Sequence, residues 1–347
     1  MSVLLVGASG QVGGAFLTVF RQAYPSVPLT LFLRTHALDN GIASLGNTTV
    51  VHGDFENDLS VLEKLASEHS IVIDAAASRF LDVNEAILRG VEAYKEKNGR
   101  NAIYIHLSGA GNFIDRAKDG VFKETNKALD LPFIDTNPEQ VKKIDASMPP
   151  NGAADEVIIR AAEDGKVNAY ILCPVGIYGA SENHIGLLAG AEGAPFAKTL
   201  GVWVGWMVGN IVDKGYSPYI GPGTSEFVSI HVDDVVDAMM KVYARATQDS
   251  EQQKYGKGSV LNEFYLLADK RWPNKQIAEL FAEAVVRLGK LKGDGERVEA
   301  RSVTFEEAGT TAGYLGGNTL IEPKNAKKLG WKPRGPGLAE TLKTMKA

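Results

Sequence analysis

The chain has 347 residues, of which 44% are hydrophobic and 23% charged, with 37 glycines and a formal net charge of −5. That much apolar material fills a sizeable core in one large domain or two coupled ones, which excludes long disorder. The negative balance, with no run of Lys and Arg, excludes nucleic acid as an expected partner.

The opening SVLLVGASGQVGGAFLTVFRQAY passes from a β-branched and Leu run, through glycines, into an amphipathic pattern, which predicts strand, tight turn and helix. LTLFLR, residues 29 to 34, predicts a second strand and NTTVVHGD a third. IVIDAAA and AIYIHLSG predict a fourth and fifth, each after helix-length polar periodicity. Strands separated by helices predict parallel βαβ units with right-handed crossovers, a two-layer, doubly wound Rossmann α/β sheet. From Ala110 to Pro150 the pattern breaks into a long loop, and loops of that length are often functional. Helix resumes at AADEVIIRAAEDG, with Ala153, Val157, Ile158 and Ala161 on one face, and NAYILCPVGIYG predicts a sixth strand.

Residues 1–178 and 226–270 form the expected dinucleotide-binding domain. Residues 179–225 and 271–347 form a smaller C-terminal lobe for substrate, at the strand ends where ligands bind in open α/β sheets. FVSIHVDDVVDAMMKVYARA reads as a strand and helix returning to the core, and NEFYLLAD as one more strand. In TLGVWVGWMVGNIV, Thr199 to Val212, uncharged sequence sets Gly201, Gly205 and Gly209 four apart, a spacing that lets helices approach closely. A bilayer span needs about 18 to 20 apolar residues, so a buried or pocket-lining helix without stable membrane insertion is expected. A membrane-touching or dimer-forming face is the competing reading. The single cysteine, Cys173, allows no intrachain disulfide and suits a buried, inert thiol in a reducing compartment. SVLLV before the first glycine lacks the features of a signal peptide, so a cytoplasmic location is expected.

In GASGQVGG the glycines fall at Gly7, Gly10 and Gly13, between an apolar strand and the first turn of a helix. Gly7 permits the turn, Gly10 lets backbone approach a pyrophosphate, and Gly13 lets helix pack on strand, while the helix N-terminus offers unpaired N–H groups. Ser9 adds a hydroxyl. The strand and helix context points to a dinucleotide; the bland alternative is an empty turn that serves packing alone. At the end of the second strand an NAD-selecting pattern would place an acid, and this chain has Arg34, whose guanidinium suits a 2′-phosphate. NADP is therefore expected ahead of NAD. Asp54 would accept from the adenine amino group or cap the next helix.

In this order and spacing, GASGQVGG, HGD, DAAA, IHLSGAG, CPVGIYG, FVSIHVDD and NAKKLGWKP span nearly the whole chain. The chain thereby resembles the extended branch of the short-chain dehydrogenase/reductases, close to the NAD-dependent epimerase/dehydratase and NmrA-like proteins, and within it an atypical fungal group. The resemblance implies Gly7, Gly10, Gln11, Val12 and Gly13 at the pyrophosphate, Asp54 and Phe55 at adenine, and Ala75, Ala76 and Ala77 along the ribose. It implies Pro174 and Ile177 beside the nicotinamide and Ser108 at the reacting oxygen of the substrate. Active members also carry a Tyr with a Lys four residues later, which lowers the phenol pKa. None of the eleven Tyr here has a Lys at that spacing; the register puts Asn151 in the Tyr position and Asp155 in the Lys position.

Three readings follow. One is an NADP(H)-dependent oxidoreductase that moves hydride to a small carbonyl, imine or activated alkene, with Ser108, Asn151, Asp155 and Tyr178 as candidate catalytic residues. Another is a non-redox isomerase, lyase or cyclase with Asp155 as base. The third is a cofactor-sensing binding protein of the NmrA-like kind, for which aromatic residues including Trp203, Trp206, Tyr216 and Tyr219 would form a contact surface. Gly109, His184, Trp203, Trp206 and Tyr314 are the candidate substrate contacts, with a surface loop as the bland reading of His184. Six His and one Cys without close ligand-spaced pairs give no reason to expect a metal. A small-molecule substrate is the expected partner, and oligomeric state stays open.

Overall fold

The strand Val3–Val6 (β1) is buried along its whole length, and its alternate side chains enter two separate apolar cores. Leu4 and Val6 join one core, Val3 and Leu5 the other. A strand covered on both faces has no polar side to show, which is why its sequence is a continuous apolar run. The computed structural model describes residues 1–188, 201–251, 259–289 and 297–345.

β2 (Leu29–Leu33), β3 (Thr48–His52), β4 (Ile71–Asp74) and β5 (Ile103–Leu107) follow as expected. A short β6 (Phe133–Ile134) precedes β7 (Asn168–Pro174). The main sheet has seven strands in the order Phe264–Leu267, β7, β5, β4, β1, β2, β3, all paired in parallel. The chain leaves β3 at one edge and re-enters at β4, on the far side of β1. That reversal opens a crevice beyond the carboxyl ends of β1 and β4.

Helices α1 (Gln11–Ala23) and Val232–Glu251 cover the face that carries Leu5, Ile73 and Ile105. α3 (Leu59–Glu68), α4 (Leu81–Asn98) and α6 (Gly152–Glu163) cover the face that carries Leu4, Val72 and Tyr104; α2 (Asp39–Ala43) is a single short turn after β2. The expectation of two layers is thus corrected to three, because apolar side chains leave the sheet on both sides.

FVSIH does not join the main sheet. Glu226–His231 pairs with Ile177–Tyr178 and Lys270–Pro273 in a small sheet of three strands, while the helix after it returns to α1. The excursion from Ala110 to Pro150 contains β6 and α5 (Pro138–Lys142), and the C-terminal segment stitches it down. β6 pairs with Ile321–Glu322, Asn318 donates twice to Asp115 at 2.8 and 3.0 Å, and Asp135 accepts from the backbone N–H groups of Lys324, Asn325 and Leu266.

Val202–Lys214 is one helix with Gly201 at its N-cap; Thr199 and Leu200 lie outside the described residues. A Cβ on Gly209 would meet open space among the described residues, so no described helix exploits the glycine spacing there. No described helix is long and apolar enough to cross a membrane.

Candidate functional site

The crevice is lined first by the turn after β1. Gly7 has φ +89°, and a Cβ there would lie 2.8 Å from the Ala76 Cβ and 2.9 Å from the Ala75 carbonyl carbon. The turns after β1 and β4 therefore press directly on each other, which brings Ala75, Ala76 and Ala77 beside the glycine turn. A Cβ on Gly13 would stand 2.2 Å from the Gly7 carbonyl oxygen, whereas one on Gly10 would meet only that oxygen at 3.3 Å. Gly10 is the N-cap of α1 and no side chain caps the first turn, in which Gln11 and Val12 follow the half-buried Ser9. The Gln11 side chain itself is turned away: Nε2 donates to the Gly179 carbonyl at 2.7 Å and ties α1 to the loop after Ile177–Tyr178.

His184 is buried, which corrects its reading as a surface loop residue or substrate contact. Its ring covers Gly14, where a Cβ would lie 2.5 Å from Nε2. Nε2 lies 2.9 Å from the Gly10 carbonyl and Nδ1 accepts from the Gly186 N–H at 3.0 Å. Burial holds its pKa down, and the neutral ring is the form that can accept at Nδ1 while donating at Nε2. Both nitrogens are thus committed to backbone.

At the far end, beyond β2 and β3, Arg34 Nη1 lies 3.4 Å from Asp54 Oδ2, with the Arg34 side chain 69% exposed. Asp54 Oδ1 accepts from the Glu56 N–H, and that bond, aided by Arg34, holds the carboxyl below its usual range. Phe55 meets Phe80 edge-on at 5.4 Å. In the same region His36 and His52 both reach Asp39, a juxtaposition that corrects the expectation of no ligand-spaced histidines.

The chemistry-bearing cluster hangs from β5. Tyr104, His106 and Ser108 occur at every second position and so leave one face of the sheet. His106 Nδ1 lies 3.0 Å from Asp74 Oδ2, at the end of β4. Asp74 Oδ1 meanwhile accepts from the N–H groups of Ala76 and Ala77 and shapes the turn beside Gly7. Tyr104 donates to Asn84 at 2.6 Å. On the other side Ser108 Oγ donates to Asp155 Oδ2 at 2.9 Å, and Asn112 Nδ2 donates to the same oxygen at 2.9 Å. Asp155 Oδ1 and His106 Nε2 stand 3.8 Å apart, each buried and each without a hydrogen-bond partner among the described residues.

Asp155 lies in the first turn of α6 and Asn151 is its N-cap, four residues apart on one helix face. Asn151 Nδ2 donates to the Gly109 carbonyl, and its backbone N–H donates to Asn112 Oδ1. The fold thus gathers Ser108, Gly109, Asn151 and Asp155, the residues expected from the register. Asn112, His106 and Asp74 were not anticipated. Asp155 is fully buried, and desolvation raises its carboxyl to about 6, against the pull of His106 and the bonds from Ser108 and Asn112. Cys173, on β7, shares this environment beside Ser108, and burial pushes its thiol well up, as suits an inert thiol.

Other expected residues lie around this centre or away from it. Pro174 ends β7 with its carbonyl 3.7 Å from where a Gly109 Cβ would be, and Ile177 pairs with Ile230. Tyr178 is corrected as a catalytic candidate: its hydroxyl donates to the Pro336 carbonyl at 3.0 Å, and burial pushes its pKa up, the wrong direction for a proton donor. Trp203 stacks on Phe227 at 5.4 Å, and Trp206 meets Tyr314 edge-on at 5.1 Å. The Tyr314 hydroxyl lies 3.9 Å from a Cβ position on Gly111, two residues beyond the Ser108–Gly109 turn's end; burial raises its pKa, opposed by Arg79. Tyr216 and Tyr219 sit apart under Arg301 and Lys275.

No family model matches the chain. It is 22% identical over 358 residues to Oxidase ucsJ of Acremonium sp, a match covering 99% of this chain and 96% of that protein. Among solved structures, the dTDP-glucose 4,6-dehydratase of Bacillus anthracis in complex with NAD aligns with a TM-score of 0.59 at 19% identity, over 99% of this chain and 96% of that one. The UDP-glucuronic acid 4-epimerase of Bacillus cereus, in complex with UDP-glucuronic acid and NAD, gives 0.58 at 14% identity, over 99% and 97%. The fold is the Rossmann α/β fold of such epimerases and dehydratases.

Proposed function

We propose that the chain is an NADP(H)-dependent oxidoreductase of the atypical extended short-chain dehydrogenase type, exchanging hydride with a small carbonyl, imine or activated alkene and its reduced partner. The observation that carries this reading is the hydrogen bond from Ser108 to Asp155, which stands at the Lys position of the resemblance, beside buried His106 and Asp74. The cradle suits a dinucleotide: an uncapped helix start, a Gly10 with space before it, and a Gly13 that admits no side chain. Solved neighbours of the same fold are complexes with NAD, and the weaker relative is named an oxidase. NADP is favoured over NAD because exposed Arg34 stands where an acid would hold a ribose hydroxyl.

When bound, the nicotinamide supplies or takes the hydride. Ser108 bonds the reacting atom of the substrate and passes a proton between that atom and Asp155. Near pH 6 the Asp155 carboxyl can both hold and release that proton. His106, fixed by Asp74, offers Nε2 to the same carboxyl. Asn151 holds the Gly109 carbonyl and so positions the end of β5. The aromatic lobe, 179–225 with 271–347, supplies the substrate side, where Tyr314, with Trp206 edge-on against it, approaches the loop after Ser108. A buried, unpaired Cys173 suits a cytoplasmic protein.

The same Asp155 and His106 would serve a non-redox proton transfer over a cofactor that does not turn over, and this is the second reading. Incubation of purified protein with NADPH and a panel of carbonyl, imine and enone compounds separates the two. NADPH oxidation that is lost in Ser108→Ala supports the oxidoreductase. Substrate conversion with no change in NADPH absorbance replaces it with the isomerase, lyase or cyclase.

A further inference from the structure

The sequence has six histidines, and four of them, His69, His106, His184 and His231, are buried, as is the only cysteine. The two that reach solvent stand together. His36 Nδ1 lies 3.1 Å and His52 Nε2 3.2 Å from one oxygen of Asp39, and the two rings lie with centroids 3.7 Å apart, tilted by 34°. The other Asp39 oxygen, Oδ1, is enclosed and has no hydrogen-bond partner among the described residues. Residues outside the described segments include no His or Cys.

We propose that His36, Asp39 and His52 form a binding site for a divalent transition cation of the zinc class. Bonds of about 2.0 to 2.1 Å in a tetrahedral shell need donor atoms roughly 3.3 to 3.4 Å apart. The three donors here, all within 4.8 Å of one another, need only small movements to reach that spacing. Two imidazoles and a carboxylate match borderline cations and not Mg²⁺, which prefers all-oxygen shells with near-octahedral geometry. His36 and Asp39 belong to the loop after β2 and the start of α2, and His52 ends β3. A bound cation therefore cross-links that loop to the neighbouring strand without involving Ser108 or Asp155.

Calorimetric titration of the full-length chain with ZnCl₂ tests the site. One saturable equivalent is expected, with no heat from MgCl₂ and a melting temperature that rises by a few degrees with zinc. His36→Ala and His52→Ala should each weaken zinc about tenfold or more, and Glu68→Gln, a surface carboxylate outside the trio, should not. His36 is well exposed, so its variant keeps the fold, and circular dichroism checks this. Absence of saturable binding overturns the proposal. So does zinc binding that both histidine variants retain, which would mark scattered surface carboxylates as the ligands.

Discussion

His106 Nε2 and Asp155 Oδ1 face each other at 3.8 Å inside the protein, and neither atom has a hydrogen-bond partner among the described residues. At that distance they stand beyond hydrogen-bond range, two polar atoms buried against each other. Asp74 fixes the far side of the imidazole and Ser108 the far side of the carboxyl. In the proposed mechanism the pair is the interior end of a proton path whose outer end is the Ser108 hydroxyl.

Asp155→Asn preserves the size of the side chain and removes its capacity to take a proton. Turnover should fall about 100-fold or more, with dinucleotide affinity unchanged. Steady-state kinetics beside a binding titration measure the two; full turnover would remove Asp155 from the chemistry.

The same variant reports on stability. The carboxyl of Asp155 is raised to about 6 by burial, against about 3.9 in an unfolded chain. A raised carboxyl binds its proton more tightly when folded, so its contribution is complete below about pH 4 and is lost as pH rises through 6. Asp135, raised to about 6 for the same reason, adds to that loss. Asp155→Asn escapes its share of it, which is on the order of 3 kcal/mol. The variant should melt above the wild type at pH 7 and the two should converge near pH 4. A wild type that melts higher at pH 7 would show that the buried carboxylate is stabilised by its neighbours.

Arg34→Asp removes the guanidinium from the end of β2. The Arg34–Asp54 pair is exposed and screened by solvent, so the melting temperature should barely move. The ratio of NADP to NAD affinity should fall about tenfold or more, measured by titration with each nucleotide. An unaltered ratio would show that Arg34 meets no phosphate.

Tyr178→Phe deletes the hydroxyl that bonds Pro336 and costs on the order of 1 kcal/mol of stability. Turnover should stay within about twofold of wild type. A large loss of kcat without destabilisation would return Tyr178 to the catalytic set.

The elements of the sheet were legible because local pattern and fold agree: SVLLV, IVID and AIYIHL are apolar runs buried on both faces, and the glycine turn follows β1 directly. Ser108, Asn151 and Asp155 were found through register with a family, and they meet. His106 and Asp74 were passed over, although Tyr104, His106 and Ser108 at every second position of an otherwise apolar strand were a signal for a polar row on one face. What that row faces depends on α6 and β4, distant in sequence. His184 was misread for a similar reason: the ring rests on Gly14, and no local pattern ties two residues so far apart. The His36–Asp39–His52 group was missed because β2 and β3 become neighbours only in the sheet.

Titration of purified protein with NADP⁺ and NAD⁺, beside Gly10→Val, tests the central claim most directly. A Cβ on Gly10 meets only one neighbour, at 3.3 Å, so the variant should fold while its side chain fills the space above the helix start. One saturable equivalent for the wild type, tighter for NADP⁺ and absent in a folded Gly10→Val, is the expected result. A wild type that binds neither nucleotide, or a variant that binds as well, would contradict the account.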